Sequence, residues 1–390
     1  MTTRPRPALH AGGLALALVL SLAAAPASAG PPGAAGWTPV DLGTLGGAQT
    51  VPTAVNDRVK VVGRSQSAEG RWHAFLWTDG VMIDLSPAAE GGTASDISNK
   101  GHVSGWVQPA PGEDLDAVLW RDGTTTVLAE GGSAHVVNER GQVGGHVAEP
   151  GTWSDNPFVW RAGTRTDLPP PPYPGARTSA AITDLNDRGE VLATSEYEDD
   201  ADLTYVWSGG TFTELRDARG PLRGVDLNGR GHVAGSTHLT SWFREAALWR
   251  DGEIVRLGLL PGMATSLALA LNDKDLVVGV SSTVPGQRGT GFVWRDGVMT
   301  PIGAVGDGWS LAGDVNERGQ VAGQLGSTTA DGVEVAQPFV WQAGRLTPLG
   351  EPAEGGVTVV DLSEKGHVLA MTGDFQHQRG VLWVPTRPRS

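Results

Sequence analysis

There is no cysteine anywhere in the 390 residues. That excludes a disulfide framework, a thiolate metal or catalytic centre and a lipid-modified N-terminal cysteine, so stability has to come from packing and hydrogen bonds. Basic residues are scarce: 29 Lys and Arg stand against 43 Asp and Glu, a formal charge of −14. Such a balance argues against a nucleic-acid partner, because phosphate contacts need a surplus of Lys and Arg. Also missing are a His-x-x-x-His or similar metal-ligand spacing, a Gly-x-Ser-x-Gly elbow, a phosphate loop and a dinucleotide fingerprint. The sequence therefore offers no catalytic residue, no metal ligand set and no cofactor site.

Long apolar runs are absent too, except one. Leu14 to Ala25 follows Arg4 and Arg6 and precedes Ala27-Ser28-Ala29, the three parts of a secretory signal peptide with an A-x-A cleavage site. The run is short for a bilayer span. Residues 1–29 thus read as a signal peptide and 30–36 as a short linker, giving a secreted, extracellular protein without membrane insertion after cleavage. Losing the two arginines takes the formal charge from −14 to −16.

What is present is repetition. Aligning Asp184-Leu185-Asn186-Asp187-Arg188-Gly189-Glu190-Val191 with its relatives along the chain places Asn56, Ser98, Asn138, Asn186, Asn228, Asn272, Asn316 and Ser363 at one position, 40 to 48 residues apart. A period in this range suits a unit of four short strands. At 39% hydrophobic residues the chain can build a core, and its many glycines and prolines fall at fixed places in the repeat, as turn chemistry requires.

Each copy reads as four strands. Strand a ends in an aliphatic residue just before the anchor, as at Val55, Ile97 and Leu185. A four-residue turn follows, with Asn or Ser first and usually Gly last, the preferences of a type I turn closed by a glycine. Strand b is Gly-x-Val-x-Gly, for example Gly231 to Gly235, and strand c ends in the tryptophans Trp77, Trp120, Trp160, Trp207, Trp249, Trp294, Trp341 and Trp383. If buried, each of these contributes on the order of 2–3 kcal/mol from apolar burial. Asp-Gly pairs such as Asp79-Gly80 and Asp296-Gly297 take the positive φ values of a two-residue hairpin and lead into strand d. The eighth copy ends before a strand d, whereas Val40-Asp41-Leu42, ahead of the first strand a, has the strand d pattern of Ile83-Asp84-Leu85. An open solenoid would need polar caps at both ends. The fold expected is all-β: an eight-bladed β-propeller of four-stranded antiparallel blades over residues 37–384, closed by the N-terminal strand completing the last blade, with a tail at 385–390.

The combination of Gly-x-Val-x-Gly, Trp72-His73-Ala74-Phe75-Leu76-Trp77, an Asp-Gly turn and Asp41-Leu42-Gly43-Thr44-Leu45-Gly46-Gly47 resembles the family of probable extracellular HAF repeats, named for the His-Ala-Phe at His73 to Phe75. The resemblance covers almost the whole chain after residue 36. It implies an exported repeat protein and supplies no catalytic residue. Asp116, Asn156, Glu245 and Gln337 hold the histidine's place in other copies, so that histidine is not a required ligand.

Asp226-Leu227-Asn228-Gly229-Arg230-Gly231 and Asp314-Val315-Asn316-Glu317-Arg318-Gly319 look like calcium loops. Calcium needs six to eight oxygens, the fifth position normally supplying a carboxylate, and here it is Arg58, Lys100, Arg140, Arg188, Arg230, Lys274, Arg318 or Lys365. A structural turn is expected, its basic side chain free to pair with a neighbouring blade's carboxylate. His102, His232 and His367 share the variable place of Gly-x-Val and read as exposed strand residues. Asp96, Asp184, Asp226, Asp314 and Asp361 recur at one place in strand a, which favours a structural role.

In an antiparallel blade the a–b and c–d turns lie at one end and the b–c and d–a connections at the other. The first set is tight and uniform, the second long and different in every copy, as on a scaffold with one functional face. Trp72, Trp106, Trp153 and Trp242 are expected in b–c connections and Trp309 in a d–a connection. Together with Tyr197 they form the candidate ligand-binding set, since exposed aromatics on polar loops suit sugar stacking or a protein contact. Glu196-Tyr197-Glu198-Asp199-Asp200-Ala201-Asp202 is the densest acidic loop there, a candidate for one weak cation. The leading function is therefore an exported, monomeric binding or interaction module with a glycan or protein ligand. The alternative is a carbohydrate-active enzyme, a glycoside hydrolase or lyase, with its site at the propeller axis and two carboxylates about 5–10 Å apart.

Overall fold

Eight antiparallel sheets stand in a ring in the computed structural model, which describes residues 36–148, 155–169, 176–197, 203–240, 242–286, 288–303, 308–351, 355–374 and 376–386. The expected strands are the observed ones. Blade 1, for example, consists of strands Gly46–Val55, Val61–Ser67, Trp72–Thr78 and Val81–Asp84 in that order across its sheet. The last sheet is built from both ends of the chain, in the order Trp37–Asp41, Arg379–Pro385, Val368–Thr372, Val357–Leu362. In it Pro39 faces Trp383, Val40 faces Leu382 and Asp41 faces Val381, so the N-terminal strand supplies the missing strand d and closes the ring. The signal peptide assigned to residues 1–29 lies outside the described residues, and among those described no helix is long and apolar enough to cross a membrane.

The turn chemistry follows the sequence. Asp79 and Gly80 have φ of 51° and 81°, and Asp296 and Gly297 51° and 87°, the double positive φ of a type I′ hairpin. The second glycine of Gly-x-Val-x-Gly has a different reason. A Cβ on Gly145 would lie 2.3 Å from the Ser133 carbonyl and 2.8 Å from the Phe158 ring, so this glycine lets the strand c aromatic pass close against the sheet. Strand a also carries a β-bulge near its end in every blade, for instance between Ala94 and Asp96 and between Ala312 and Asp314. Blade 5 departs from the pattern by adding a fifth strand, Arg216–Asp217. There Asp217 binds Arg256 at 2.7 Å, and that hydrogen bond pulls its carboxyl down to about 2.

The hydrophobic core is divided among the joints between blades. At the closing joint Leu42, Leu369 and Leu382 of blade 8 pack on Val55, Val61, Phe75 and Trp77 of blade 1. Blades 1 and 2 meet through Ala54, Val62 and Ala74 against Ile97, Val118 and Trp120. No blade has a closed core of its own, so stability depends on the ring being complete.

Polar fasteners cross the same joints, and they explain the repeated Asn and Asp. The anchor Asn closes its own turn: Asn316 Oδ1 accepts the N–H of Arg318 at 3.1 Å and of Gln320 at 3.0 Å. Its Nδ2 then donates to the anchor carbonyl of the next blade, Ser363, at 3.1 Å. The inner-strand Asp makes a second bridge. Asp361 accepts the N–H of Leu362 at 2.8 Å and that of Val55 in blade 1 at 2.7 Å, and Asp96, Asp184, Asp226 and Asp314 do the same toward Val137, Leu227, Leu271 and Leu362. The two devices complement each other. Ser98 and Ser363 have no amide to donate, so joints 2/3 and 8/1 rely on Asp96 and Asp361. Ala54, Val136 and Ala270 replace the Asp, and joints 1/2, 3/4 and 6/7 rely on Asn56, Asn138 and Asn272.

Candidate functional site

The turn face is stitched from blade to blade, around a cavity of about 410 Å³ lined by Val293, Val298 and Trp341 between the turns of blades 6 and 7. Beyond the Asn and Asp bridges, the residue after every anchor but Asn228, where it is Gly229, reaches back to the preceding blade's turn: Asn99 Oδ1 accepts Asp57 N–H at 2.7 Å and Asp187 Oδ1 accepts Glu139 N–H at 2.9 Å. The basic fifth residue pairs with a neighbouring carboxylate at Lys274, whose Nζ is 3.7 Å from Glu317; Arg188 turns instead to Glu190 in its own blade, at 2.7 Å. With both lone pairs of the Asn oxygen taken by backbone N–H groups, these turns have little to offer a divalent ion. Among the described residues no group of three or more His, Asp or Glu side chains could hold a metal. Calcium titrated into chelator-treated protein is expected to show no multi-site binding and no large rise in melting temperature; a stoichiometry near one ion per repeat would overturn this account of the turn.

The histidines need correcting. His102 and His367 are buried and His232 nearly so, rather than exposed. The variable place of Gly-x-Val points under the next blade's turn: the His102 ring lies against Gly141, and His232 Nδ1 is 2.7 Å from Asp275. In the two copies anchored by serine, the ring partners that serine, His102 with Ser98 at 3.2 Å and His367 with Ser363 at 2.9 Å. Burial lowers the pKa of both rings. Sequence reasoning could have found the link, since Ser98 and Ser363 both carry a His four residues on. A further pair went unread: His135, in the bulge of blade 3, stacks on His146 with their ring nitrogens 2.7 Å apart. Burial first, and His146 second, push the pKa of His135 down to about 4.

Three of the candidate aromatics stand toward the loop face as strand residues rather than loop residues. Trp72 opens strand c of blade 1, Trp106 lies in strand b of blade 2 (Val103–Gln108) and Trp309 opens strand a of blade 7 (Trp309–Val315). All three are half-buried. Arg64 covers the Trp72 ring at 4.8 Å, and Arg288 covers Trp309 at 4.3 Å. Trp309 also rests against Gly326, where a Cβ would come within 2.3 Å of the ring. A ring face already covered by a guanidinium is closed to a sugar. Among the described candidates Trp242 keeps the expected setting, in the b–c loop of blade 5 and 82% exposed, with the exposed Leu239 on the same loop and Val284 on the equivalent loop of blade 6. Trp153 and residues 198–202 of the acidic loop lie outside the described residues; Tyr197 closes strand b of blade 4, its backbone paired with Ala176.

A cavity of about 360 Å³ opens between blades 6, 7 and 8 on this face. Val280, Leu311 and Met371 give it apolar walls, Gln324 and Thr358 polar ones, and Arg288, paired with Glu334, stands at its rim beside Trp309. The size suits a small ligand or a short segment of a larger one. No Asp, Glu or His is among its described lining residues.

The chain is an eight-bladed β-propeller. No family model and no curated protein sequence matches it. Among solved structures it is similar to the β-propeller domain of the Trilobed protease from Pyrococcus furiosus, with 10% identity over 75% of this chain and 95% of that one and a TM-score of 0.51. It is also similar to the Dos1 propeller, with 11% identity over 90% and 95% and a TM-score of 0.48. For a puromycin-hydrolyzing peptidase of Mycobacterium tuberculosis the figures are 14% identity, 92% of this chain against 55% of that one, and a TM-score of 0.49. At such identities the likeness concerns the fold alone.

Proposed function

We propose that the protein is an exported binding module that takes a glycan or protein ligand on its loop face. The observation that carries this reading is the asymmetry of the two faces. Both faces hold a cavity and exposed valines, but one is fastened blade to blade by side chains that recur from turn to turn, whereas the other presents the exposed aromatic Trp242 together with Leu239 and Val284. A large aromatic ring left almost fully exposed is the kind of side chain that anchors a ligand or partner. The apolar run at Leu14 to Ala25, the A-x-A site and the resemblance of Trp72 to Trp77 to exported repeat proteins support secretion.

The test is a glycan array and a cell-surface pull-down with the protein lacking residues 1–29, repeated with Trp242→Ala and Thr358→Trp. Thr358 is exposed and lines the cavity, so a tryptophan there fills space without entering the core. Capture that weakens at least about tenfold in one variant, at unchanged melting temperature, is the expected result. A ligand held equally well by both variants would place binding elsewhere. The carbohydrate-active alternative draws on the five axial carboxyls, whose raised pKa values suit a general acid. Each is already tied to two backbone N–H groups, which disfavours it, and reducing ends released from a polysaccharide panel would restore it.

A further inference from the structure

The binding reading makes no use of the axis. Asp96, Asp184, Asp226, Asp314 and Asp361 stand at one level of the inner strands, just after the bulge. Asp184 Oδ2 and Asp226 Oδ1 accept the same Leu227 N–H, at 2.9 and 3.0 Å, and Asp314 Oδ2 and Asp361 Oδ1 accept the same Leu362 N–H, at 2.8 Å each. Two carboxyls gathered on one N–H repel each other unless one of them carries a proton. The charged groups that act on them are acids. Asp96 faces Asp184 and Glu139, Asp226 faces Asp184 and Asp314, and Asp361 faces Asp314 and Asp96. None of the influences that act on them most strongly comes from a Lys, Arg or His.

We infer that this carboxyl ring is a proton-operated fastener: the blades take up protons as the ring closes, and the closed ring is held more firmly in mildly acidic than in alkaline solution. The geometry gives the reason. Each carboxyl is fixed between two blades by two backbone N–H groups and cannot swing away from its acidic neighbour. A shared proton removes the repulsion and leaves the bridges in place. Joint 8/1, where the chain ends meet, depends on Asp361 for its axial bridge, because Ser363 lacks the amide.

Burial pushes Asp96 up to about 6 and raises the other four, Asp226 and Asp361 well above the ordinary carboxyl value. A carboxyl raised in the folded state contributes stability that is fully present below its unfolded pKa, about 4, and is lost as the pH rises through the folded value. His102, His135 and His367, all lowered, act in the opposite sense, losing stability as the pH falls below about 6.5. The carboxyl effect is therefore read above that point.

The experiment measures the melting temperature of the protein lacking residues 1–29 between pH 8 and pH 6.5, at constant ionic strength with a chelator present, together with proton uptake on refolding. A rise of roughly 2–6 °C toward pH 6.5 is expected, with net proton uptake. Asp226→Asn should flatten the rise, and its fold is protected because Asn228 and the Gly229 to Asp273 bond still fasten joint 5/6. Asp79→Asn, in an exposed turn, should leave the rise unchanged. A flat or falling profile, no proton uptake, or an equal slope in Asp226→Asn overturns the inference. So does a rise at pH 8 produced by calcium and lost in Asp226→Asn, which would make the ring a cation site.

Discussion

Deleting residues 37–43 is expected to lower the melting temperature by roughly 10–20 °C and to expose the Arg379–Pro385 strand to proteases. The deletion removes the whole outer strand of blade 8, from Trp37 opposite Pro385 to Asp41 opposite Val381. It also removes Leu42, which is 4% exposed and packs at joint 8/1 with Val55, Phe75 and Leu382. The Trp37 indole bond to the Gly366 carbonyl at 3.2 Å goes with it. Burying one leucine contributes about 1.5–3 kcal/mol, and the lost ladder and the newly unpaired edge add to that. Because every core cluster lies between two blades, a weakened closing joint leaves blades 1 and 8 each half covered. A thermal transition unchanged by the deletion, or identical protease patterns, would show that the ring does not depend on its seam.

The second large effect separates two populations of tryptophan. Trp294→Ala is expected to destabilise by about 3–5 kcal/mol, since Trp294 is 3% exposed and packs between blades 5 and 6 with Leu248, Leu271 and Phe292. Trp383→Ala, at 2% exposure in the last blade, should behave alike. Trp242→Ala, removing a ring that is 82% exposed, should stay within about 0.5 kcal/mol. Trp106, half-buried in a strand, should fall between them. Denaturant unfolding of the four variants decides the matter. Equal losses at Trp242 and Trp294 would make the exposed tryptophan a core residue and remove the main support for a binding face.

Much of this was legible in the chain because it is written eight times. The spacing of the Asn and Ser anchors, the Asp-Gly turns and the strand c tryptophans are local signals, set by φ preferences and by which side chains a sheet can bury. The missing strand d of the eighth copy and the spare strand at Val40 to Leu42 made closure a matter of counting. The loop face was legible only as a direction. Trp72 and Trp309 were expected as open platforms, yet Arg64, Arg288 and Gly326 close over them, and none of these partners is predictable from the tryptophan's own neighbours in sequence. The exposure expected for His102 and His367 failed for the same reason. A strand position that would face solvent in a single sheet faces the next blade in a ring.

By itself, then, the sequence determined the number of blades, their strand order, their turns and the end-to-end closure, all of which rest on local preference and on repetition. Only the tertiary structure decided what crosses from one blade to the next: the Asn and Asp bridges and the paired carboxyls at the axis. Those contacts join residues about forty positions apart or more. Their energies depend on burial and on the charge of the facing neighbour, quantities that exist only once the ring has formed.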